Sequence, residues 1–318
     1  MAWRIDAAQQ ILQEYVPKGD DDRTALFIKA LVQYAPTERG QRNICNSILE
    51  CPLKVTPEQS LSAVLYELRE HFLMGLIYPI KAKGGRTPRV TEHPSRKESI
   101  EEETMLNELY LSSAKRDRNK LKKLVLLRDN YRSVISRLVD LSSARAGKVP
   151  QNVEVVPTEA AHILPFSLAT NQPERAEVWA AISSFSGMDL SVVLGGNDIN
   201  RLGNVFTLSV IEHTNFGQLE FWLEKVQGKG HTYVLNSALA LGGIPRGSEV
   251  TFVDHGLGLE MPDPELIAIH AACAQVVHQS GMAEYIDRIL QDLEEIPVLA
   301  EDGSSNALMI ALCSISVR

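Results

Sequence analysis

Glu159-Ala160-Ala161-His162-Ile163-Leu164-Pro165-Phe166 is the stretch on which the reading of this chain turns. Two further pieces follow it in order: Ile199-Asn200-Arg201-Leu202-Gly203-Asn204, then His213, nine residues after Asn204, with Phe216 behind it. Asn204 to Leu208 is strand-like, and Val210 to Leu219 is spaced as a short helix. Histidine and asparagine mean little singly. Their order, spacing and apolar flanks make the set specific.

Working outward, the middle of the chain carries further short strand candidates. These are Val134-Ile135, Val153 to Val156, Phe221 to Val226, Tyr233 to Leu235 and Val250 to Val253, with a helix over Pro173 to Phe185. Both ends are helical. Ile5, Ala8, Ile11, Leu12, Tyr15 and Val16 recur at helical spacing. So do Leu61, Val64, Leu65, Leu68, Phe72, Leu73 and Leu76, behind an expected N-cap at Thr56 with Pro57 after it. Towards the C-terminal end, Leu266, Ile269, Cys273, Val276 and Val277 form one stripe, and Met282, Tyr285, Ile286, Ile289, Leu290 and Leu293 another, split by Gly281. Such stripes pack cores. Between the N-terminal helices and the middle, Ala82 to Glu103 is polar, with glycine, proline and charges, and reads as a linker. A long helix is expected from about Ile100 to Arg128.

Composition sets outer bounds. The chain has 318 residues, 44% hydrophobic and 23% charged, an ordinary globular balance. Cys45, Cys51, Cys273 and Cys313 show no Cys-x-x-Cys spacing, which argues against a zinc ribbon and a disulfide scaffold. The opening MAWRIDAAQQ lacks the apolar core of a signal peptide, and no apolar run reaches membrane-spanning length. The expected location is intracellular, cytoplasmic or nuclear. The net charge of −8 is uneven: Leu111 to Pro150 holds eleven basic and three acidic residues, +8 against −16 for the rest. A basic block in an acidic chain marks a candidate nucleic-acid footprint, with Lys115, Lys120, Lys122, Lys123 and Arg128 as the expected contacts.

The three pieces together resemble the HNH endonucleases, the nucleases of the ββα-metal fold, and the chain as a whole is similar to fungal HNH-domain proteins of unassigned role. Arg128-Asp129-Asn130-Tyr131-Arg132 resembles the opening of that module. Pro262-Asp263-Pro264, Ile269-His270-Ala271-Ala272, Ser280-Gly281 and Glu284-Tyr285-Ile286-Asp287 resemble the C-terminal part, so the likeness covers roughly residues 100 to 310. The resemblance implies an α+β, mostly helical fold, with a small central ββα-metal unit flanked by N- and C-terminal helices. The expected division is 1–81 helical, 82–103 linker, 104–235 HNH-like module and 236–318 mainly helical. It implies His162 as general base, Asn204 as the residue holding its loop, and His213 as ligand to one divalent metal, with DNA or RNA as substrate. His162 and His213, 51 residues apart in sequence, should then come together, one near a strand end and the other on or near a short helix.

The departures from the family pattern are specific. Many members place an acidic metal ligand just before the first histidine, where this chain has Ala161. Glu159, three residues before His162, points by strand alternation to the other face. Relatives commonly carry Cys and Thr-Gly where Ser133, Ser136 and Arg137 stand. His213 alone is weak equipment for Mg²⁺, which favours carboxylates, whereas a softer ion such as Zn²⁺ or Ni²⁺ suits imidazole. His71, His93, His231, His255, His270 and His278 fall in no catalytic motif. Two other function classes stay open at this level. One is a fungal natural-product cyclase that reuses the fold, holding a hydrophobic small molecule in an apolar pocket without metal, for instance for an intramolecular cycloaddition. The other is a regulatory or toxin-like interaction protein.

Overall fold

The computed structural model describes residues 1–81, 118–150, 152–165, 168 and 174–294. The linker Ala82 to Glu103, the first part of the helix expected from Ile100, and Lys115 lie outside the described residues. The chain divides into two compact units, one taking residues 1–82, 170–193 and 269–318, the other 83–169 and 194–268. The architecture is α+β and mostly helical, with small sheets of two, two and three strands among the described residues. No helix of the described residues is long and apolar enough to cross a membrane.

The first unit is helical. Helices α1 (Ala2–Gln13), α2 (Thr24–Tyr34), α3 (Glu38–Glu50) and α4 (Leu61–Phe72) bury Ala8 and Leu12, Phe27 and Leu31, Ile44 and Ile48, and Leu65 and Phe72, each pair four or seven residues apart and so on one helix face. The cap of α4 is Ser60, whose hydroxyl accepts from Ala63 N, and not Thr56. Thr56 instead pairs with Gln59 in a tight turn, which uses its backbone donor and leaves capping to the serine beside the first helical residue. After α4 the chain loosens into a π-helical turn, Leu73–Ile77, and α5 (Tyr78–Lys81). Close approach of a later helix explains two glycines. A Cβ on Gly40 would stand 2.0 Å from Phe185 O, and one on Gly75 would stand 2.6 Å from Ala181 Cβ.

The second unit holds the region of the motifs. Helix α6 (Arg118–Arg128) leads into a short parallel pair, β1 (Val139–Asp140) with β2 (Val155–Val156), bridged by α7 (Leu141–Arg145). The expected strand at Val134-Ile135 is a turn; both side chains are buried, and Val134 N donates to Thr207 O. Strand β3 (Thr158–His162) pairs antiparallel with β4 (Val205–Ser209), from Thr158 opposite Ser209 to His162 opposite Val205. Between them lie α8 (Glu174–Ser186), which belongs to the first unit, and α9 (Leu190–Leu194). Helix α10 (Val210–Gly217) follows β4 directly, and β5 (Phe221–Lys225), β6 (Thr232–Ser237) and β7 (Glu249–Thr251) form an antiparallel meander. Helices α11 (Pro264–Gln279) and α12 (Ala283–Glu294) end the described chain.

Two apolar layers sandwich the β3–β4 ribbon. On one face, Leu121, Leu124 and Val125 of α6 pack with Val205, Leu202 and Leu259, and Ala160 lies against them. On the other, Phe206 meets Phe216 of α10 at 5.2 Å and Phe252 at 5.7 Å. Strand alternation accounts for the division: Ala160, His162 and Val205 share the α6 face, while Glu159, Ala161 and Phe206 share the α10 face.

Asp140 ties the small parallel pair to the ribbon. Its carboxylate accepts from Ser143 N at 2.8 Å, from the hydroxyls of Ser142 and Ser143, and from Thr158 Oγ1 at 2.5 Å. Burial pushes this carboxyl up, but the hydrogen bonds outweigh it and hold it below the usual carboxylate range. A depressed carboxyl contributes stability above its unfolded pKa, near 4, and loses it as pH falls through the lower folded value. Asp140→Asn is therefore expected to lower the melting temperature at neutral pH. The gap from the unmodified protein should narrow as the pH is taken below about 4; a gap independent of pH would show that the charge plays no part.

Candidate hydrolytic site

The stem of the site is polar and buried. Arg128, 2% exposed, closes α6 and points its guanidinium under the ribbon. It donates to Leu202 O at 2.8 Å and Val205 O at 2.7 Å, reaches Glu260 O at 3.2 Å, and forks onto the Asp129 carboxylate. Asp129 in turn accepts from Thr207 N at 2.7 Å. The expectation that Arg128 contacts nucleic acid is corrected by this burial: its donors face inward and brace β4. Ser133 and Ser136 have a comparable task. Ser133 Oγ donates to Glu212 at 2.6 Å and Ser136 N to the same carboxylate at 3.0 Å, while Glu212 completes a capping box with Ser209. The start of α10 is thereby fixed to the turn before β1.

His162 is the last residue of β3 and is half-buried. Its Nε2 lies 2.8 Å from Asn200 Oδ1. Asn204 is fully buried and holds the loop that follows His162: its Oδ1 accepts from Leu164 N, and its Nδ2 donates to Leu164 O and Ile199 O, each at 2.9 Å. Ile163 N also donates to Asn204 O at 2.8 Å. One asparagine thus pins both the segment after His162 and the segment that carries Asn200.

His213 stands in the first turns of α10, and its Nδ1 lies 2.6 Å from Glu159 Oε2. Both side chains are partly exposed. Glu159 precedes His162 by three residues, roughly 10 Å along a strand, and sits on the face of Ala161. The structure therefore joins His162 to Asn200, and Asn204 to the loop of His162, but gives His213 to Glu159. Among the described residues no group of three or more His, Cys, Asp and Glu side chains is placed to hold a metal ion. HNH endonucleases typically use a divalent metal; the donors described in this chain, one imidazole already bound to one carboxylate with Ala161 beside them, do not fit an ion held by protein ligands alone.

Two participants escape motif reading. Asn200 lies within the second motif piece but is a plain polar residue in a 3₁₀ turn, and only the fold brings it to His162. Glu159 is set aside by alternation when measured against His162; measured against Ala161, the same alternation puts it on the face that α10 covers. Lys122 is half-buried, Lys123 is exposed, and Lys120 is partly buried. All three fall off the inward stripe of Leu121, Leu124 and Val125.

Residues 141–224 match the family model HNH_2, described as HNH endonuclease. No curated protein and no solved structure matches the chain. The matched span holds β3, β4, α10, His162, Asn204 and His213, and begins after the Arg128–Asp129 brace. The likeness is therefore to an HNH endonuclease domain and is confined to the central part of the chain, residues 141–224.

Proposed function

We propose that the chain hydrolyses nucleic-acid phosphodiesters, with His162 as the general base. The observation that carries this reading is the placement of His162 at the end of β3, on the ribbon face covered by the lysine-bearing helix α6 and with its loop held by Asn204. A phosphodiester brought there would meet an imidazole to take a proton from water, while the lysines of α6, which lie off its inward stripe, would add to the attraction of a polyanion. The water oxygen forms the new P–O bond as the bond to the leaving oxygen breaks. The water proton passes to His162, and the leaving oxygen is protonated from solvent. Asn204 keeps the loop still, so that the imidazole approaches from a fixed direction. His213, held through Nδ1 by Glu159, stands on the other face of the ribbon as a candidate lone metal donor. No step is assigned to it.

A second reading has one observation in its favour. With Ala161 in the ligand position and no cluster of three ligands among the described residues, the domain would bind nucleic acid without cutting it.

DNA retention across a salt series tests what both readings share. Affinity should fall steeply with salt, because each neutralised phosphate releases counterions. Lys120, Lys122 and Lys123 changed together to Ala should flatten the log–log slope by about 0.9 for each phosphate no longer neutralised, equally for all sequences. Steep salt dependence with cleavage supports the hydrolase, and steep dependence without cleavage supports the binder. Failure to retain either single- or double-stranded DNA or RNA at low salt removes both.

A further inference from the structure

We propose that Asn200 is a positioning residue for His162: it fixes the imidazole as the Nε2–H tautomer and so puts the ring's lone pair on Nδ1. The catalytic consequence rests on the hydrolytic reading of His162, but the tautomer itself does not.

The chemistry is forced by the atoms that face each other. Asn200 presents Oδ1, an acceptor, to His162 Nε2 at 2.8 Å. An amide oxygen has no proton to give, so the ring nitrogen opposite it must carry one. In a neutral imidazole the other nitrogen is then the base. A carboxylate in place of Asn200 would orient the ring equally well but would add a negative charge beside it. The neutral amide orients without that charge.

Asn200 is built to hold one position. It is 5% exposed. The carbonyl just before it, on Ile199, accepts from Asn204 Nδ2 at 2.9 Å. Just after it, Arg201 Nε donates to Glu260 at 2.9 Å, while its own N–H bonds Asp198 O and its carbonyl accepts from Asn204 N, both at 3.0 Å. The turn is therefore anchored on both sides of the side chain that meets His162. Asn204 links the two jaws, since the same amide bonds the loop after His162 and the residue before Asn200. His213 gives an internal contrast. Its Nδ1 faces a carboxylate, Glu159, which calls for the opposite tautomer, Nδ1–H.

The test is a ring-nitrogen NMR spectrum of the full chain labelled with ¹⁵N histidine, the His162 signals being assigned by their loss in His162→Gln. The wild type should show His162 with a protonated Nε2 and a bare Nδ1, and His213 with the reverse. Asn200→Ala should mix or reverse the His162 tautomer and leave His213 unchanged; Asn200→Asp should keep Nε2–H. Where the wild type cleaves, Asn200→Ala should lower kcat by roughly 10–100-fold with KM little changed, the usual scale for losing the partner that orients an active imidazole, and Asn200→Asp should recover part of it. A wild-type His162 protonated on Nδ1 overturns the proposal without any variant, so a poorly folding Asn200→Ala does not shelter it. An Asn200→Ala spectrum identical to wild type overturns it too. If the wild type cuts nothing, the hydrolytic reading falls, while the tautomer spectra still decide the role of Asn200.

Discussion

Replacing Arg128 with Met is expected to lower the stability of the second unit by about 3–5 kcal/mol, the usual cost of removing one partner of a buried ion pair. The side chain is 2% exposed and its guanidinium meets three backbone carbonyls and one carboxylate. Met fills much of the volume, so the loss would be polar rather than steric. The carbonyls of Leu202 and Val205 would remain buried without this donor, and Asp129 would keep its charge and its bond from Thr207 N but lose the guanidinium. Arg128→Lys should fall between, because an ammonium keeps the charge but lacks the fork that spans four acceptors. Lys123→Met, on the exposed side of the same helix, should stay within about 0.5 kcal/mol. Urea unfolding followed by circular dichroism, together with exchange of the Thr207 amide, reads both changes. Arg128→Met behaving like Lys123→Met would show that the buried fork carries no weight.

Removing the imidazole at position 162 is expected to have the largest effect on activity. A positioned general base contributes roughly 10²–10⁴-fold, and of the two motif histidines His162 is the one at that end of β3, His213 being held by Glu159. His162→Ala should therefore reduce cleavage by at least about 100-fold while leaving DNA retention and its salt slope in place, since the lysines of α6 are untouched. The fold should survive, because His162 is half-buried and Asn204 fastens the following loop through backbone groups alone. An equal loss of binding and cleavage would point to a collapsed loop instead of a lost base.

Much of the architecture was legible in the residues, for reasons that particular elements make plain. The step from β4 to α10 reads in the sequence as a strand over Asn204 to Leu208 followed by a short helix from Val210, and the structure has Val205–Ser209 and Val210–Gly217, with a Ser209–Glu212 capping box at the junction. The two C-terminal stripes, at helical spacing, became α11 and α12. What could not be read depends on partners far off in sequence. Arg128 looks like one more cation in a basic run, and its burial is set by carbonyls 74 and 77 residues away. Val134 and Ile135 have strand-forming side chains, yet the chain turns there, with Ser133 and Ser136 bound to Glu212. Asn200 gains meaning only because Asn204 draws its turn against the loop of His162. Thr56 and Ser60 are both capping residues by type. A local turn decided between them.

The measurement that bears most directly on the role of His162 is cleavage of supercoiled plasmid and of single strands by the purified full chain, run beside His162→Ala in separate Mg²⁺, Mn²⁺, Ni²⁺ and Zn²⁺ series. The wild type should cut in at least one series, and His162→Ala should lose that cutting at unchanged DNA retention. Cutting that survives the substitution, or a wild type that binds DNA and leaves it intact under all four ions, would contradict the assignment of His162 as the base of a working hydrolase.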